Sequence, residues 1–575
     1  MKGTGNLIWP VHFPRSIFQQ GFSHSMMIHT SSRLKHTLWL GLVLGNAMWA
    51  AEMADPAKTE TAKPAAQDTK ELKEIVVTAS RSERAPDTVP AGVNVISAEE
   101  ISRSHAQNVP ELIKGLPGVT VEDVYGNGRR SNIDLRGFGE RADANTLVMV
   151  DGRRVNPPDM GGIDWTTIPL EQIDRIEVVR GGGSVLYGDR AVGGAVNIIT
   201  RKGAAKPTLT TDTLVGSYNT FRQGVDFAGG LGGWYYDANS SYFDTKGYRD
   251  NGYLRNASAG LSLGYDNDDW WALHMTAGTK KDRYGMPGYV NKYQDRQETN
   301  NSRDYAETES NYFLATPSGK FSDTGTLSFG LGWREVTNHS WFYGWSNSIG
   351  DSRIQELSVM PKIEETFDIA GIENKVVAGV DWIHSTLNSA WDYGMFGNAF
   401  RDAQRDELGV YVNDTLALVP DTLFLDVGAR RSHVTYDYEQ EPGLVALDRA
   451  HNIDAWRAAL TWTWQPGGKI FAAVDRSFRT QLLDELAGPW GMSAPLDSYQ
   501  KSLQYQLGIS QEFNRYLALG ATGFIIDTDN EIFYNPYATL DPMWGYLGEN
   551  QTYPQTRRTG IELEAKSKPF DSLTL

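Results

Sequence analysis

The segment WRAALTWTW (Trp456–Trp464) sets Trp456, Ala458, Leu460, Trp462 and Trp464 at alternate positions, with Arg457, Ala459, Thr461 and Thr463 between them. Successive side chains leave a β-strand on opposite faces, so this spacing gives one apolar face and one polar or small face. ASAGLSLGY (257–265) repeats the pattern with its apolar residues at odd positions, and Leu327, Phe329, Leu331 and Trp333 repeat it again. A soluble sandwich can alternate in this way, though seldom over so many long strands. A transmembrane barrel has to, because one face meets lipid and the other a polar interior.

The connections between such segments sort into two kinds. Short turns are predicted at 266–269, 322–325, 368–371, 419–422, 465–468, 512–515 and 569–572. Long loops are predicted at 284–309, 337–353, 385–405, 436–453, 480–500 and 526–557. Short turns on one side and long loops on the other belong to barrels of the outer-membrane type. The pattern supplies about sixteen strands and the start of a seventeenth at 573–575. A barrel closes on its first strand, so the expectation is a truncated chain or a final strand that the pattern hides.

Composition agrees with a barrel. Mean hydropathy is −0.42, and no apolar run approaches the ~20 residues of a membrane helix. Gly (58), Tyr (26) and Trp (17) suit tight strand packing and interfacial aromatic girdles. The chain has no cysteine, which excludes disulfides, thiolate metal sites and a cysteine nucleophile. A net charge of −17 argues against a nucleic-acid partner. There is no Gly-x-Ser-x-Gly elbow or His-Glu-x-x-His motif, so no enzyme is expected, nor any catalytic residue, cofactor or resident metal.

Upstream of the strands lie four shorter regions. Residues 1–50 hold an N-terminal extension and an export signal, in which Arg33, Lys35 and His36 precede the apolar run LWLGLVLGNAMWA (38–50). Residues 1–25 do not fit a signal peptide, which puts the expected start at Met26 or Met27. Residues 51–73 are small, polar and Pro-containing, a flexible linker. Glu74, Ile75, Val76, Val77, Thr78 and Ala79 then form a β-prone segment suited to pairing with another protein's sheet edge. Residues 80–203 read as a mixed α+β domain. Strands are expected at 93–96, 133–137, 146–152 and 173–180. Ser97 with Glu100 has capping-box spacing, and a second helix is expected near 109–114. GGGSVLYG (181–188) reads as a Gly-rich turn without the spacing of a phosphate-binding loop.

Three stretches, LPGVTVED (116–123), LRGFGERADANTLVMVDGRRVN (135–156) and IDRIEVVRGGGSVLYGDRAVGGAVNIITRKG (173–203), resemble the TonB-dependent outer-membrane receptors of Gram-negative bacteria. FRTQLLDEL (478–486) is similar to that family's FRAP…EL segment, with Thr480-Gln481 in place of Ala-Pro. The resemblance implies an α+β plug (80–203) inside an all-β antiparallel transmembrane barrel (204–575). The family's barrel has 22 strands, so about five would be missing here. It implies a place in the cell outer membrane, in contact with its lipid. It also implies that 74–79 is a TonB box gripped by the energy-transducing inner-membrane protein TonB, and that the cargo is a scarce metal chelate, foremost a ferric siderophore.

The resemblance places two plug loops at the extracellular apex, making Tyr125, Arg129, Arg130, Asn156, Asp159 and Met160 candidate substrate contacts. Adjacent arginines suit an anionic ligand. Trp341, Trp345, Trp391, Tyr393 and Trp490 are aromatic candidates in the loops, where interfacial anchoring competes for them. Arg136, Arg175 and Arg180 are expected to pair with acidic residues of the barrel wall. Cobalamin is an alternative cargo, although Asp266, Asp268 and Asp269 fall in a short turn and have no EF-hand spacing. Heme is a further alternative. The resemblance implies an axial histidine in the loop after residue 479, and 480–500 contains none. A passive porin is the rival class, and it would have neither plug nor TonB box. Ile75→Pro is expected to abolish uptake while leaving cell-surface binding intact, because proline removes a backbone donor from a segment that must pair as a strand. Wild-type uptake in that variant would show that 74–79 is not the coupling segment.

Overall fold

A computed structural model describes residues 81–567, apart from 83, 204–205, 268–269, 289–294, 296–297, 300–301, 344–346, 442–444, 487–495, 515 and 542–544. The signal segment, the linker, residues 74–79, Trp345 and Trp490 lie outside the described residues.

Residues 92–200 fold around a mixed five-stranded sheet. Its strands are β1 (Gly92–Ser97), β4 (Thr146–Val150), β5 (Arg153–Arg154), β6 (Ile173–Arg180) and β7 (Gly194–Thr200), in the order β1-β6-β7-β4-β5. β4 and β7 run parallel, and the other pairs are antiparallel. A separate hairpin joins β2 (Val119–Asp123) to β3 (Ser131–Leu135). The capping box forms as the spacing demands. The Ser97 hydroxyl accepts from Glu100 N, and Ser97 N donates to the Glu100 carboxylate, opening α1 (Ala98–Arg103). Asn108 caps α2 (Val109–Ile113). The expected Gly-rich turn also contains a single helical turn, α3 (Ser184–Tyr187). Val109, Ile113, Leu135, Val148, Trp165, Ile176, Val178 and Val196 make up much of the core. Trp165 Nε1 donates to the Ser131 carbonyl at 2.8 Å, satisfying the one polar atom of that side chain.

Among the described residues sixteen antiparallel strands follow, each paired with its neighbours in chain order. They are β8 (Thr208–Gly216), β9 (Thr220–Leu231), β10 (Trp234–Thr245), β11 (Leu254–Asp266), β12 (Trp271–Gly285), β13 (Tyr305–Lys320), β14 (Thr326–Phe342), β15 (Ser348–Ile369), β16 (Ile372–Asp392), β17 (Asn398–Val419), β18 (Leu423–Glu441), β19 (Val445–Gln465), β20 (Gly468–Arg479), β21 (Gln500–Asn514), β22 (Leu517–Asp541) and β23 (Gly545–Ser567). The alternation sorts as expected. Trp456, Leu460 and Trp462 are exposed on the outer face of β19, while Ala455, Ala459 and Thr461 are buried on the inner one. Near the short turns, Trp234, Tyr265 and Trp271 pack as tilted rings across three strands at 4.9 and 4.6 Å, an interfacial girdle.

The long connections differ from expectation. β14 and β15 are separated by residues 343–347 alone, β16 and β17 by 393–397, and β22 and β23 by 542–544. Sequence alternation fades there because both faces are polar above the lipid, yet the backbone ladder continues. Among the long connections, 286–304 and 480–499 keep the length expected of loops.

The inner domain is tied to the wall by buried charge. Arg136 forks onto Glu562 of β23 (Nε 2.9 Å, Nη2 3.2 Å), and Arg180 approaches the same carboxylate at 3.5 Å. Arg175 is a correction. It pairs with Asp174 and Glu177 of the plug itself and makes no ion pair with the wall among the described residues, because it lies near the start of β6 beside its own acidic neighbours. On the short-turn side, Arg81 meets Asp381 at 2.8 Å, Arg84 meets Asp426 at 2.5 Å, and Lys469 donates to the carbonyls of Pro86, Val89 and Ala91. Glu562→Ala would leave two buried guanidiniums without their shared carboxylate, at a cost of about 3–5 kcal/mol. The expected outcome is a clearly lowered unfolding midpoint for the purified protein in detergent. An unchanged midpoint would show that this pair contributes little to holding the domain.

Candidate functional site

A cavity of about 380 Å³ lies between the top of the inner domain and the wall, at the end of the barrel that carries the long connections. Two inner-domain segments form its floor, 125–130 and 153–164. β12–β17 and the loop after β20 form its sides. A chain that presents loops over a rigid sheet commonly binds there.

Of the candidates from sequence, Tyr125, Arg129, Arg130, Asp159, Met160 and Trp391 line this cavity together. Their states differ. Arg129 is neutralised, its Nε donating to Asp282 at 2.7 Å and its Nη2 lying 3.0 Å from Asp164. Its guanidinium lies 3.8 Å over the Tyr284 ring. Lys280 joins the same two carboxylates, which makes a closed group of two cations and two anions. Burial raises the Asp164 carboxyl, but Arg129 and Lys280 outweigh it and hold that group well below the carboxylate range. Arg129 therefore fastens the 125–130 loop to β12. Arg130 makes no ion pair among the described residues, although its charge acts on Asp159 nearby. Its Nη2 donates to the Met160 carbonyl at 2.9 Å, and Gly162 (φ +73°) packs so close that a Cβ there would lie 2.7 Å from its Nε.

Asn156 is not in the cavity lining. It is buried, accepting from Val148 N and donating to the carbonyls of Asp143 and Thr146, so it shapes the apex from within. Trp341 is also a correction. On β14 the even residues Arg334, Val336, Asn338, Ser340 and Phe342 face the cavity, so Trp341 faces outward, stacked on Tyr305 at 4.5 Å. The parity of Leu327 to Trp333 already carried that signal. Trp391 faces inward, and Tyr393 stacks on it at 5.7 Å. His339, His384 and His433 sit on the outer faces of their strands, each against a neighbouring strand's Asp351, Asp406 or Asn452.

Three arginines that sequence reasoning passed over complete the lining: Arg153, Arg334 and Arg401. Arg334 donates to the carbonyls of Val155 (2.8 Å) and Asn156 (3.3 Å) and lies 3.6 Å from Glu356. Arg153 lies over the Tyr312 ring at 4.6 Å, and Arg401 over Tyr438 at 5.9 Å. Neither has a carboxylate within ion-pair distance among the described residues. The parity of β14 would have put Arg334 inside. Nothing local marks the other two.

The segment FRTQLLDEL packs onto the inner domain. Thr480 donates to Asp189 from its N–H (2.8 Å) and its hydroxyl (2.9 Å), and Arg405 joins that carboxylate at 2.9 Å. Burial raises the Asp189 carboxyl, yet Arg405, Arg190 and Arg154 hold it at about 2. Leu483 N donates to the Pro158 carbonyl, and Met160 N donates to Asp484, both at 2.9 Å, so this loop clamps the apex. Burial and the nearby Asp159 charge push the Asp484 carboxyl up to about 7. Asp159 is raised as well, chiefly by burial.

Two family descriptions match the chain. A TonB-dependent receptor plug domain matches residues 85–195, and a TonB-dependent receptor-like β-barrel matches 202–575. The chain is 24% identical over 506 residues to the vitamin B12 transporter BtuB of Photobacterium profundum, covering 85% of this chain and 75% of that one. It shares its fold with the unliganded ferric citrate transporter FecA (TM-score 0.71, 16% identity, 84% and 75% of the two chains). The ferric yersiniabactin uptake receptor FyuA from Yersinia pestis is similar too (TM-score 0.67, 20% identity, 84% and 77%).

The raised carboxyls give the cavity a pH response. Falling pH protonates Asp484 and removes a negative charge from a space rich in arginine, so an anion should bind more tightly at roughly pH 6 than at roughly pH 8. Asp484→Asn should flatten that dependence. Equilibrium binding of an anionic ferric chelate to purified receptor tests it, and equal slopes in parent and variant would count against the role of Asp484.

Proposed function

This chain belongs to the TonB-dependent receptors of the outer membrane, and we propose that its cargo is an anionic metal chelate, a ferric siderophore before all others. The arginine excess of the apical cavity carries the reading. Arg130, Arg153, Arg334 and Arg401 line it, and Arg130, Arg153 and Arg401 have no ion-pair partner among the described residues. Asp159 and Asp484 oppose them with carboxyls that burial pushes toward the neutral form. Guanidiniums matched to carboxylate, catecholate or hydroxamate oxygens give directional, charge-assisted bonds. Trp391, backed by the stacked ring of Tyr393 outside the lining, adds a flat apolar surface for the chelate's rings.

In this reading the cargo binds at the apex, and TonB draws on residues 74–79 to remodel the plug. Support comes from where the plug's described chain begins. Arg84 and Asp87 lie by the short turns, at the opposite end from the cavity, with Asp87 accepting from Gly467 N at 3.2 Å. A second reading, cobalamin, is favoured by the similarity to the vitamin B12 transporter. Growth of a deletion strain carrying this receptor, supplied in turn with ferric siderophores of known charge, cobalamin and heme, separates the readings. Growth on cobalamin alone would overturn the first.

Arg130→Ala combined with Arg401→Ala is expected to weaken siderophore binding by roughly 10- to 100-fold. Each charge-assisted hydrogen bond is worth ~1.5–3 kcal/mol, and a factor of ten is ~1.4 kcal/mol. Unchanged affinity in a binding titration would move the contact away from these two residues.

A further inference from the structure

The plug is not held evenly around its circumference. Toward β19–β21 it is stitched to the wall. Arg457 donates to the Pro90 carbonyl at 2.8 Å, Gln504 to the Val192 carbonyl at 2.5 Å and Gln500 to Asn145 at 2.7 Å. Gly182 packs so tightly there that a Cβ would lie 2.5 Å from Ser477 Oγ. Toward β10–β13 the apical cluster of Arg129, Asp164, Lys280 and Asp282 closes the top of the interface.

Below that cluster the hydrogen bonds and ion pairs between plug and these strands thin out among the described residues. A second, narrow cavity lies between the plug and β10–β13, with Asp151, Gln172 and Thr200 on the plug and Asn239, Ser262 and Thr276 on the wall. Among the described residues, no hydrogen bond or ion pair joins plug to wall across it. The Arg153 guanidinium lies over the Tyr312 ring across it, and Arg201 and Asp151 act only through their charge on Asp226 and His274 of the wall. At about 30 Å³ it has room for about two water molecules. It is a narrow polar seam and not an open pore.

Arg153, Thr167 and Tyr312 line both this seam and the apical cavity. Arg153 therefore stands at the junction of the two, and the wall below it is small and polar. A seam without bonds is where a plug parts from its wall at least cost, because the stitched side must first lose several buried hydrogen bonds. We propose that cargo leaves the apical cavity along the β10–β13 face of the plug, past Arg153, and that Arg153 favours negative charge at that throat. This deepens the import reading above and rests on it.

The test needs no knowledge of the cargo. The chain has no native cysteine, so single cysteines report cleanly. Ser262→Cys and Thr276→Cys place thiols in the seam, and Ser502→Cys places one on the stitched wall, at 1% exposure. Energised cells are treated from outside with the sulfonate-bearing thiol reagent 2-sulfonatoethyl methanethiosulfonate. The expected result is labelling of both seam thiols at least about tenfold faster than Ser502→Cys, lost when a protonophore collapses the energy supply. Arg153→Gln in the Ser262→Cys background should lower the ratio of sulfonate to trimethylammonium reagent rates by about fivefold or more, a change that a merely structural loosening would not produce. Equal labelling of the seam and stitched-wall thiols overturns the route, and an unchanged reagent ratio overturns the role of Arg153. Either failure would stand even if the cargo proved to be a siderophore. A neutral or cationic cargo found by growth tests would leave the route intact and refute the anionic-chelate reading alone.

Discussion

Hydrocarbon offers no hydrogen-bond partner to a peptide group, so a chain crossing a membrane in strands must satisfy every N–H and C=O within its own ladder. That constraint orders the rest of this molecule. It forces long, registered antiparallel neighbours, seen from β8 to β23 without a crossover. It fixes side-chain parity, since a shift by one residue would exchange the lipid face for the lumen face. And it leaves the lumen face polar, because the apolar residues are used outside.

A polar lumen in turn decides how a folded domain can be held inside it. The plug keeps its own hydrophobic core around Trp165, Ile176 and Val196. It meets the wall through charge and hydrogen bonds such as Arg136 with Glu562 and Asp189 with Arg405 and Thr480. Such bonds are specific and individually modest once broken into water. A domain held in this way can be rigid at rest and still be remodelled by force, which a continuous apolar interface would resist. The uneven spread of these bonds, dense toward β19–β21 and sparse below Lys280, gives the interface a direction.

The same polarity shapes the apical cavity. Arginines enter it from the plug (Arg130, Arg153) and from the wall (Arg334, Arg401), and the clamp at 480–486 sets Asp484 against Asp159. Replacement of Ala-Pro by Thr480-Gln481 is structurally consequential. The Thr480 hydroxyl supplies a bond to Asp189, and the Gln481 side-chain amide donates to the Ser498 carbonyl at 2.9 Å.

Periodicity and capping are local, so the sequence by itself determined the strands of the wall, the faces of Trp456–Trp464, the Ser97–Glu100 box and the bounds of β6 at Ile173–Arg180. Parity could also have carried Trp341 outward and Arg334 inward, since both sit on a strand whose apolar face was already legible at Leu327–Trp333. The extent of the long hairpins was not legible, because the ladder outlasts the amphipathic pattern once both faces meet water. Nor could sequence tell Arg129, spent on Asp164 and Asp282, from Arg130 beside it. Which arginine is neutralised depends on carboxylates up to 153 residues away in the chain. Only the tertiary structure brings those partners within reach, and with them the charge of the cavity, the place of Arg153 at its throat and the unbonded seam below. Each is a property of two surfaces meeting, and a sequence records those surfaces separately.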